Sequence, residues 1–227
     1  MSLVQLGVES FRLRLVTGLE SELGRAGYRH VAGVDEAGRG SLAGPVVAAA
    51  VIPDPERLIP GVTDSKRLTA SKRELLAEQI RSSAAAWSVS AVSAGMIDRI
   101  NILEATKHAM IRALDGLGVR PEAVLVDAVR LRLPGVPCLP LVRGDYISYA
   151  IASASILAKV SRDRMMTDLD VEFPHYGFAA HKGYAAPIHM SALREFGPSC
   201  AHRLTFKSVL PSAGAGGRVP TEDAVGS

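Results

Sequence analysis

Four carboxylates stand where an apolar stretch gives out. Asp35 and Glu36 end RHVAGVDEA, Asp127 closes EAVLVDA apart from one alanine, and Asp145 follows VPCLPLVRG. A carboxylate at a strand end is partly stripped of water, which costs free energy unless a cation or hydrogen bonds compensate. Several carboxylates brought together also resist ionising at once. Divalent metal ions answer both problems, and oxygen donors without Cys or His favour Mg²⁺ or Mn²⁺ over zinc. Strand ends of an α/β sheet are also where sites form. The competing reading is structural: a single aspartate after a strand more often caps a turn or helix. Asp145, ahead of a helix, has the sign to complement its dipole. The adjacent pair is harder to absorb that way. Neighbours in a strand point to opposite faces, so either one acid enters the core, or a strand end or bulge at Ala37-Gly38 turns both to one place.

Beside this pair runs Gly38-Arg39-Gly40, then Ser41-Leu42-Ala43-Gly44-Pro45. It lacks the Gly-Lys-[Ser/Thr] ending of a P-loop and the spacing of G-x-G-x-x-G. Glycine permits close approach of backbone to a ligand. Bare amides and carbonyls next to a metal site can read a sugar 2′-hydroxyl, which is both donor and acceptor and separates RNA from DNA. A tight turn between strands explains the same glycines, and this stretch alone does not choose.

The elements that must position these residues follow from periodicity. Val8, Phe11, Leu15, Leu19 and Leu23 recur at helical spacing and predict a covering helix over 8–26. RHVAGVDEA and LAGPVVAAAVI predict two neighbouring antiparallel strands linked through Gly38 to Gly40. LTASKRELLAEQIRSSA carries Ser71 and Glu74 at capping-box spacing and predicts a helix. AWSVSAVSA alternates and predicts a third strand. MIDRINILEATKHAMIRALDGLG predicts helix up to Gly116 or Gly118, EAVLVDA a short buried strand, and VPCLPLVRGD, with two prolines, an edge strand. SYAIASASILAKVSRDRMMTDLDVEF predicts a long helix whose Ala and Ser let it lie close to a sheet. HYGFAAHKGY reads as a loop and APIHMSALREFG as a short helix. From Pro211 the chain has nothing to bury, predicting a disordered tail over 211–227 after a domain over 1–210. Three strands followed by alternating helix and strand argue an α/β fold with a mixed sheet.

Composition bounds the rest. Of 227 residues 48% are hydrophobic, enough for one large domain, and the net charge is only +3. The basic residues nevertheless cluster: Arg39, Lys66, Arg67, Lys72 and Arg73 early; Lys159, Arg162, Arg164, Lys182, Arg203 and Lys207 late. Such clusters suit a polyanionic partner, although solvated helix faces look the same. Cys138 and Cys200 form no metal-type pair and point to a reducing compartment. With no apolar run of membrane length, a cytoplasmic protein without membrane contact is expected. Asp64 reads as a loop cap, Asp163 as a partner of neighbouring arginines. His175, His181, His189 and His202 match no zinc spacing and read as structural.

Taken in order, GVDEAGRGSLAGPVVAAAVI, DSKRL, NILEATKHAM, LVDA, RGD, ASILAKVSRDRMM and HKGY resemble the ribonuclease HII family over roughly residues 28–208. The resemblance implies a ribonuclease H-like fold: a mixed five-stranded sheet flanked by helices, with a C-terminal helical extension at about 170–210. It implies an endonuclease that cleaves the RNA strand of RNA–DNA hybrids and incises duplex DNA at single ribonucleotides, leaving 3′-hydroxyl and 5′-phosphate ends. Asp35, Glu36, Asp127 and Asp145 fall on the family's catalytic, metal-binding acids, which hold two Mg²⁺ or Mn²⁺ ions. Gly38, Arg39 and Gly40 fall on the loop that grips the 2′-hydroxyl and phosphate, Tyr184 on a tyrosine against the next deoxyribose, and Lys66 on a phosphate-contacting lysine. A monomer is expected. A sliding-clamp contact is known in relatives, but the tail shows no glutamine-and-aromatic motif. Three departures stand out: Ala128 for the usual Gly, Ser41 for a common Pro, and Tyr146-Ile147-Ser148 for small and basic residues. A type 1 ribonuclease H or resolvase-like enzyme is disfavoured by the adjacent Asp-Glu, a non-catalytic binder by the presence of all four acids, and a nucleotide-binding enzyme by the missing P-loop.

Overall fold

A computed structural model describes residues 3–210; the expected tail from Pro211 lies outside the described residues. Five strands form one mixed sheet: β1 (Val31–Ala37), β2 (Val46–Ile52), β3 (Ala86–Val92), β4 (Ala123–Asp127) and β5 (Cys138–Leu141), in the order β3-β2-β1-β4-β5. β1 pairs antiparallel with β2 and parallel with β4, and the Pro-containing β5 is at an edge, as expected. The helices are α1 (Leu3–Val16), α2 (Gly18–Arg25), α3 (Ala70–Ser83), α4 (Ala94–Ile100), α5 (Ile102–Asp115), α6 (Gly144–Ile147), α7 (Tyr149–Glu172), α8 (Phe178–His181) and α9 (Pro187–Phe196).

The sheet is buried on both faces, so β2 is apolar throughout rather than alternating. Its Val46, Ala48, Ala50 and Ile52 meet Ala105, Ala109 and Met110 of α5 on one face. Ala49 and Val51 meet Leu76 and Ile80 of α3 and Ala154 and Leu157 of α7 on the other. A third cluster, around Met166, Phe178 and Leu193, joins the end of α7 to α8 and α9. The Ala/Ser-rich start of α7 does lie close to the sheet. A Cβ on Gly33 of β1 would come within 2.1 Å of the carbonyl carbon of Ala150, so the helix sits where only glycine leaves room. Among the described residues no helix is long and apolar enough to cross a membrane.

Several sequence expectations need correction. The helix over 8–26 is two helices broken at Thr17, and Val8, Phe11 and Leu15 are exposed. Leu13 and Val16 pack inward in their place, while Leu19 and Leu23 do pack, against Val31, Leu125 and Ile151. Polar anchoring turns α1: Arg12 donates to Val62 O (2.9 Å) and Gly61 N to Glu9 (2.7 Å). The segment 96–118 breaks at Asn101, whose φ of 66° and ψ of 164° are not helical and whose side chain caps α5. Thr69, rather than Ser71, caps α3. The stretch 175–184 contains the short helix α8.

Candidate active site

The two central parallel strands bring the acids together. The β1–β4 ladder ends at Val34↔Val126, so Asp35 and Asp127 leave it side by side. Pairing of β1 with β2 continues through Ala37↔Val47, so the adjacent pair is released by the end of the β4 ladder and not by a bulge. Asp35 is 7% exposed, while Glu36 and Asp127 are half-buried. Burial, then the charges of Glu36 and Asp127, holds the Asp35 carboxyl well above the usual carboxylate range. Burial also raises Glu36, opposed by Arg39 and reinforced by Asp127. Glu36 Oε1 lies 3.6 Å from Arg39 Nη1, and its Oε2 is buried without a partner.

Asp145 sits in the first turn of α6, not ahead of the long helix as a cap. That cap is Ser148, whose Oγ accepts from Ile151 N (3.1 Å) and donates to Glu20 (2.7 Å). Burial, then the charges of Asp64 and Asp127, raises the Asp145 carboxyl to about 6. Asp64, the cap of a 3₁₀ turn at Ser65–Arg67, is thus a fifth acid near the site, hydrogen-bonded to Asp145. Tyr146 Oη donates to the same Asp64 (3.1 Å), which gives one of the unusual residues after Asp145 a place. Lys66 is exposed on that turn and acts electrostatically on Asp145.

Asp127 therefore touches the field of the other three acids. Three of the four side chains are nevertheless engaged locally: Gly144 N donates to Asp127 Oδ1 (2.7 Å), Glu36 N to Asp35 Oδ1 (2.7 Å), and Asp145 faces Asp64. Among the described residues no three His, Cys, Asp or Glu side chains are gathered as a ready ligand set. The buried orphan oxygen of Glu36 and three carboxyls raised by burial are chemically suited to a hard cation.

Two residues carry the Gly38–Pro45 loop, and the sequence reading placed both wrongly. Arg162 and Arg203, counted among bases facing a polyanion, are 0% exposed. Arg203 donates to the carbonyls of Gly38 (2.7 Å), Arg39 (3.0 Å) and Gly44 (3.0 Å). Arg162 donates to the carbonyls of Pro45 (3.0 Å), Ala43 (3.2 Å) and Lys182 (3.0 Å) and to Ser41 Oγ (2.6 Å). Among the described residues neither forms an ion pair. Burial lowers both, Arg203 to about 9. With those carbonyls turned inward to two buried cations, Arg39 and Gly40 remain exposed on the rim. Gly38 has φ +87°, and a Cβ there would strike Arg162 Nε at 1.7 Å, so this residue must be glycine. Tyr184 is 43% exposed, its ring 5.6 Å from the Arg162 guanidinium carbon.

A groove between α3 and α7 is lined by Arg73, Arg164 and Lys182 together with Glu74, which pairs with Arg164, and Asp168. Asp163 lies there too, paired with Lys159 (2.6 Å) and Arg73 (3.7 Å) rather than with its neighbouring arginines. Both cysteines are free thiols.

A family model described as Ribonuclease HII matches residues 32–209. A Ribonuclease HII of Ruminiclostridium cellulolyticum is 48% identical over 198 residues, covering 87% of this chain and 78% of that protein. One from Geobacillus kaustophilus is 51% identical over 190 residues, covering 84% and 73%. Among solved structures, the PCNA:RNase HII complex from Archaeoglobus fulgidus matches with a TM-score of 0.68 and 32% identity, covering 78% of this chain and 95% of the other.

Proposed function

The chain belongs to the ribonuclease HII family of metal-dependent hydrolases, and from that premise we propose that it cleaves the RNA strand of RNA–DNA hybrids and incises duplex DNA at a single embedded ribonucleotide. The products carry 3′-hydroxyl and 5′-phosphate ends. The observation that carries this reading is that Asp35, Glu36 and Asp127 emerge side by side at the end of the β1–β4 ladder, with Asp145 close enough to feel the charge of Asp127, beside a glycine loop whose carbonyls are held inward.

Asp35, Glu36, Asp127 and Asp145 would hold two Mg²⁺ or Mn²⁺ ions. Bound there, such ions would supply an activated water for attack on phosphorus and neutralise charge on the leaving 3′-oxygen. The acids act as ligands, so no side-chain nucleophile is needed. Asp127, whose charge acts on the other three acids, would stand among the ligands from the end of β4. Gly38, Arg39 and Gly40 receive the 2′-hydroxyl and its phosphate. Arg39 is exposed, and among the described residues its carboxylate contact is the long one to Glu36. Lys66 contacts a phosphate from the turn beside Asp145. Tyr184 lays its exposed ring on the next deoxyribose and so favours a ribonucleotide followed by DNA.

Arg164 and Lys182 carry the duplex by phosphate contacts, which makes binding steeply salt-dependent and indifferent to base sequence. One chain supplies the four acids, the glycine loop and Tyr184, so a monomer suffices to complete the site. Free Cys138 and Cys200 suit a reducing cytoplasm. The test is incubation with duplex DNA holding one ribonucleotide, with Mg²⁺, with Mn²⁺ and with chelator, followed by mapping of the cut. A metal-dependent nick 5′ to the ribonucleotide is expected. No cleavage with either ion, or equal cutting of all-DNA duplex, would overturn the proposal.

A further inference from the structure

Behind Tyr184 lie two histidines that the mechanism does not use. His189 of α9 is 0% exposed and His202 2%. Their Nε2 atoms are 3.0 Å apart. Two facing ring nitrogens can bond only if one carries a proton and the other does not, and the backbone decides which. Ser199 N donates to His202 Nδ1 (2.9 Å), so that nitrogen is an acceptor. Neutral His202 therefore carries its proton on Nε2 and donates it to His189 Nε2. His189 is then left with its proton on Nδ1, which lies 2.8 Å from the carbonyl oxygen of Tyr184. Direction is thus fixed along the whole line, from Ser199 through both rings to Tyr184.

Burial supports the neutral state of both rings, lowering His189 and bringing His202 to about 4. Aromatic neighbours leave the rings no other seat: Phe178 stands 5.5 Å from His189 and 5.4 Å from His202, and His181 stacks on His189 at 4.4 Å. The rest of the Lys182–Tyr184 backbone is held with equal care. Arg162 takes the Lys182 carbonyl (3.0 Å), Leu42 N the Gly183 carbonyl (2.8 Å), and Tyr184 N bonds His181 O (3.1 Å). The Tyr184 carbonyl also accepts from Ala186 N (2.8 Å), which lies next to α9 itself. The His189 bond is therefore the side-chain tie between this loop and the C-terminal segment around His202.

We propose that the His202–His189 pair is a positioning relay: it fixes the Tyr184 peptide, and so the aim of the Tyr184 ring, and thereby sets selectivity for a ribonucleotide–deoxyribonucleotide junction over a long hybrid. The inference rests on the role proposed for Tyr184. His189 and His202 touch no substrate and act through that tyrosine alone.

The two ends of the imidazole can be reproduced separately. In His189→Asn the amide nitrogen stands where Nδ1 was and keeps a donor for the Tyr184 carbonyl. In His189→Gln the polar end stands where Nε2 was, keeping the contact to His202 and losing the donor to Tyr184. The readout is the ratio of kcat/KM on single-ribonucleotide duplex to kcat/KM on long hybrid, measured beside thermal unfolding of each full-length variant. Tyr184→Ala should lower the ratio by about tenfold. His189→Gln should lower it by about three- to tenfold, His189→Asn should leave it within about twofold, and His189→Gln added to Tyr184→Ala should lower it no further.

A core-filling histidine would instead make both variants follow their stability, with the ratio unchanged. That result, or a ratio preserved in His189→Gln while Tyr184→Ala loses it, overturns the relay and leaves the Tyr184 role standing. Equal losses on both substrates in Tyr184→Ala overturn both.

Discussion

Replacing Asp145 by Asn should stabilise the metal-free protein while destroying its activity. The Asp145 carboxyl is raised from 3.8 to about 6 by burial and by the charges of Asp64 and Asp127. A carboxyl that holds its proton more tightly in the folded than in the unfolded chain contributes stability that is complete below pH 4 and is lost as pH rises through 6. Two pH units correspond to about 3 kcal/mol. The group is only part-buried, and screening by solvent brings this to about 1–1.5 kcal/mol. In a chain of this size that is a rise of about 3–5 °C in Tm. Asn stays neutral at every pH and keeps an amide donor for Asp64. The assay is thermal unfolding of both proteins in chelator from pH 4 to 8. The curves should coincide near pH 4 and separate through pH 6, with Asp145→Asn the more stable. Saturating Mg²⁺ or Mn²⁺ should narrow or invert the gap, because only the carboxylate holds a cation. A variant that melts below the parent at pH 7 in chelator, or a gap that does not change with pH, would refute the electrostatic account of this site.

Asp127→Asn should cut kcat by on the order of 10³ while the unfolding midpoint stays near that of the parent, and near-normal turnover would remove Asp127 from the metal site. Arg203→Lys should destabilise by about 3 kcal/mol or more in urea unfolding, since one ammonium cannot replace bonds to the carbonyls of Gly38, Arg39 and Gly44; a loss below about 1 kcal/mol would show that the loop carbonyls find other donors. Ala128 has φ +50°, so Ala128→Gly should raise stability by about 1 kcal/mol despite the added freedom of the unfolded chain, and a fall in the midpoint would contradict the strain assigned there. Gly33→Ala should cost about 3 kcal/mol or more, because its Cβ would meet backbone of Ala150 and Ile151 at 2.1–2.3 Å where no flexible side chain can yield; unfolding at the parental midpoint would mean that α7 shifts freely.

Strand positions were legible because this sheet is apolar on both faces and its breaks are marked by Gly and Pro. β4 and β5 are examples: AVLVD has no alternative to burial, and Pro140 belongs at an edge. The acids at Asp35, Glu36 and Asp127 were legible for the same reason, since a charge that ends such a strand has few neighbours to blame. Helix limits were less legible where one side chain decides them. Asn101 interrupts what periodicity reads as one helix, and it does so through a backbone angle that hydrophobic spacing does not report. The face of α1 was misread because Glu9 and Arg12, tied to Gly61 and Val62 some fifty residues away, outweigh the Val8-Phe11-Leu15 stripe in orienting it.

The buried arginines and histidines show where charge and helical period give opposite answers, and which answer wins. Charge alone puts Arg162 on a solvated face. Helical period puts it two turns beyond Ser155, one turn beyond Ala158 and one turn before Met166, a stripe that is buried throughout. His189 shares its face of α9 with Ala192 and Leu193 in the same way. A buried cation is tolerable only where enough acceptors converge on it. Those acceptors are loop carbonyls from residues as far as 165 positions away along the chain, so the compensation is invisible until the chain is folded. Period identifies which polar residues enter the core, and the unpaired carbonyls of a glycine-rich loop supply the reason. A polar residue on an apolar helical stripe, in a chain that also carries such a loop, is therefore better read as that loop's internal support than as part of its binding surface.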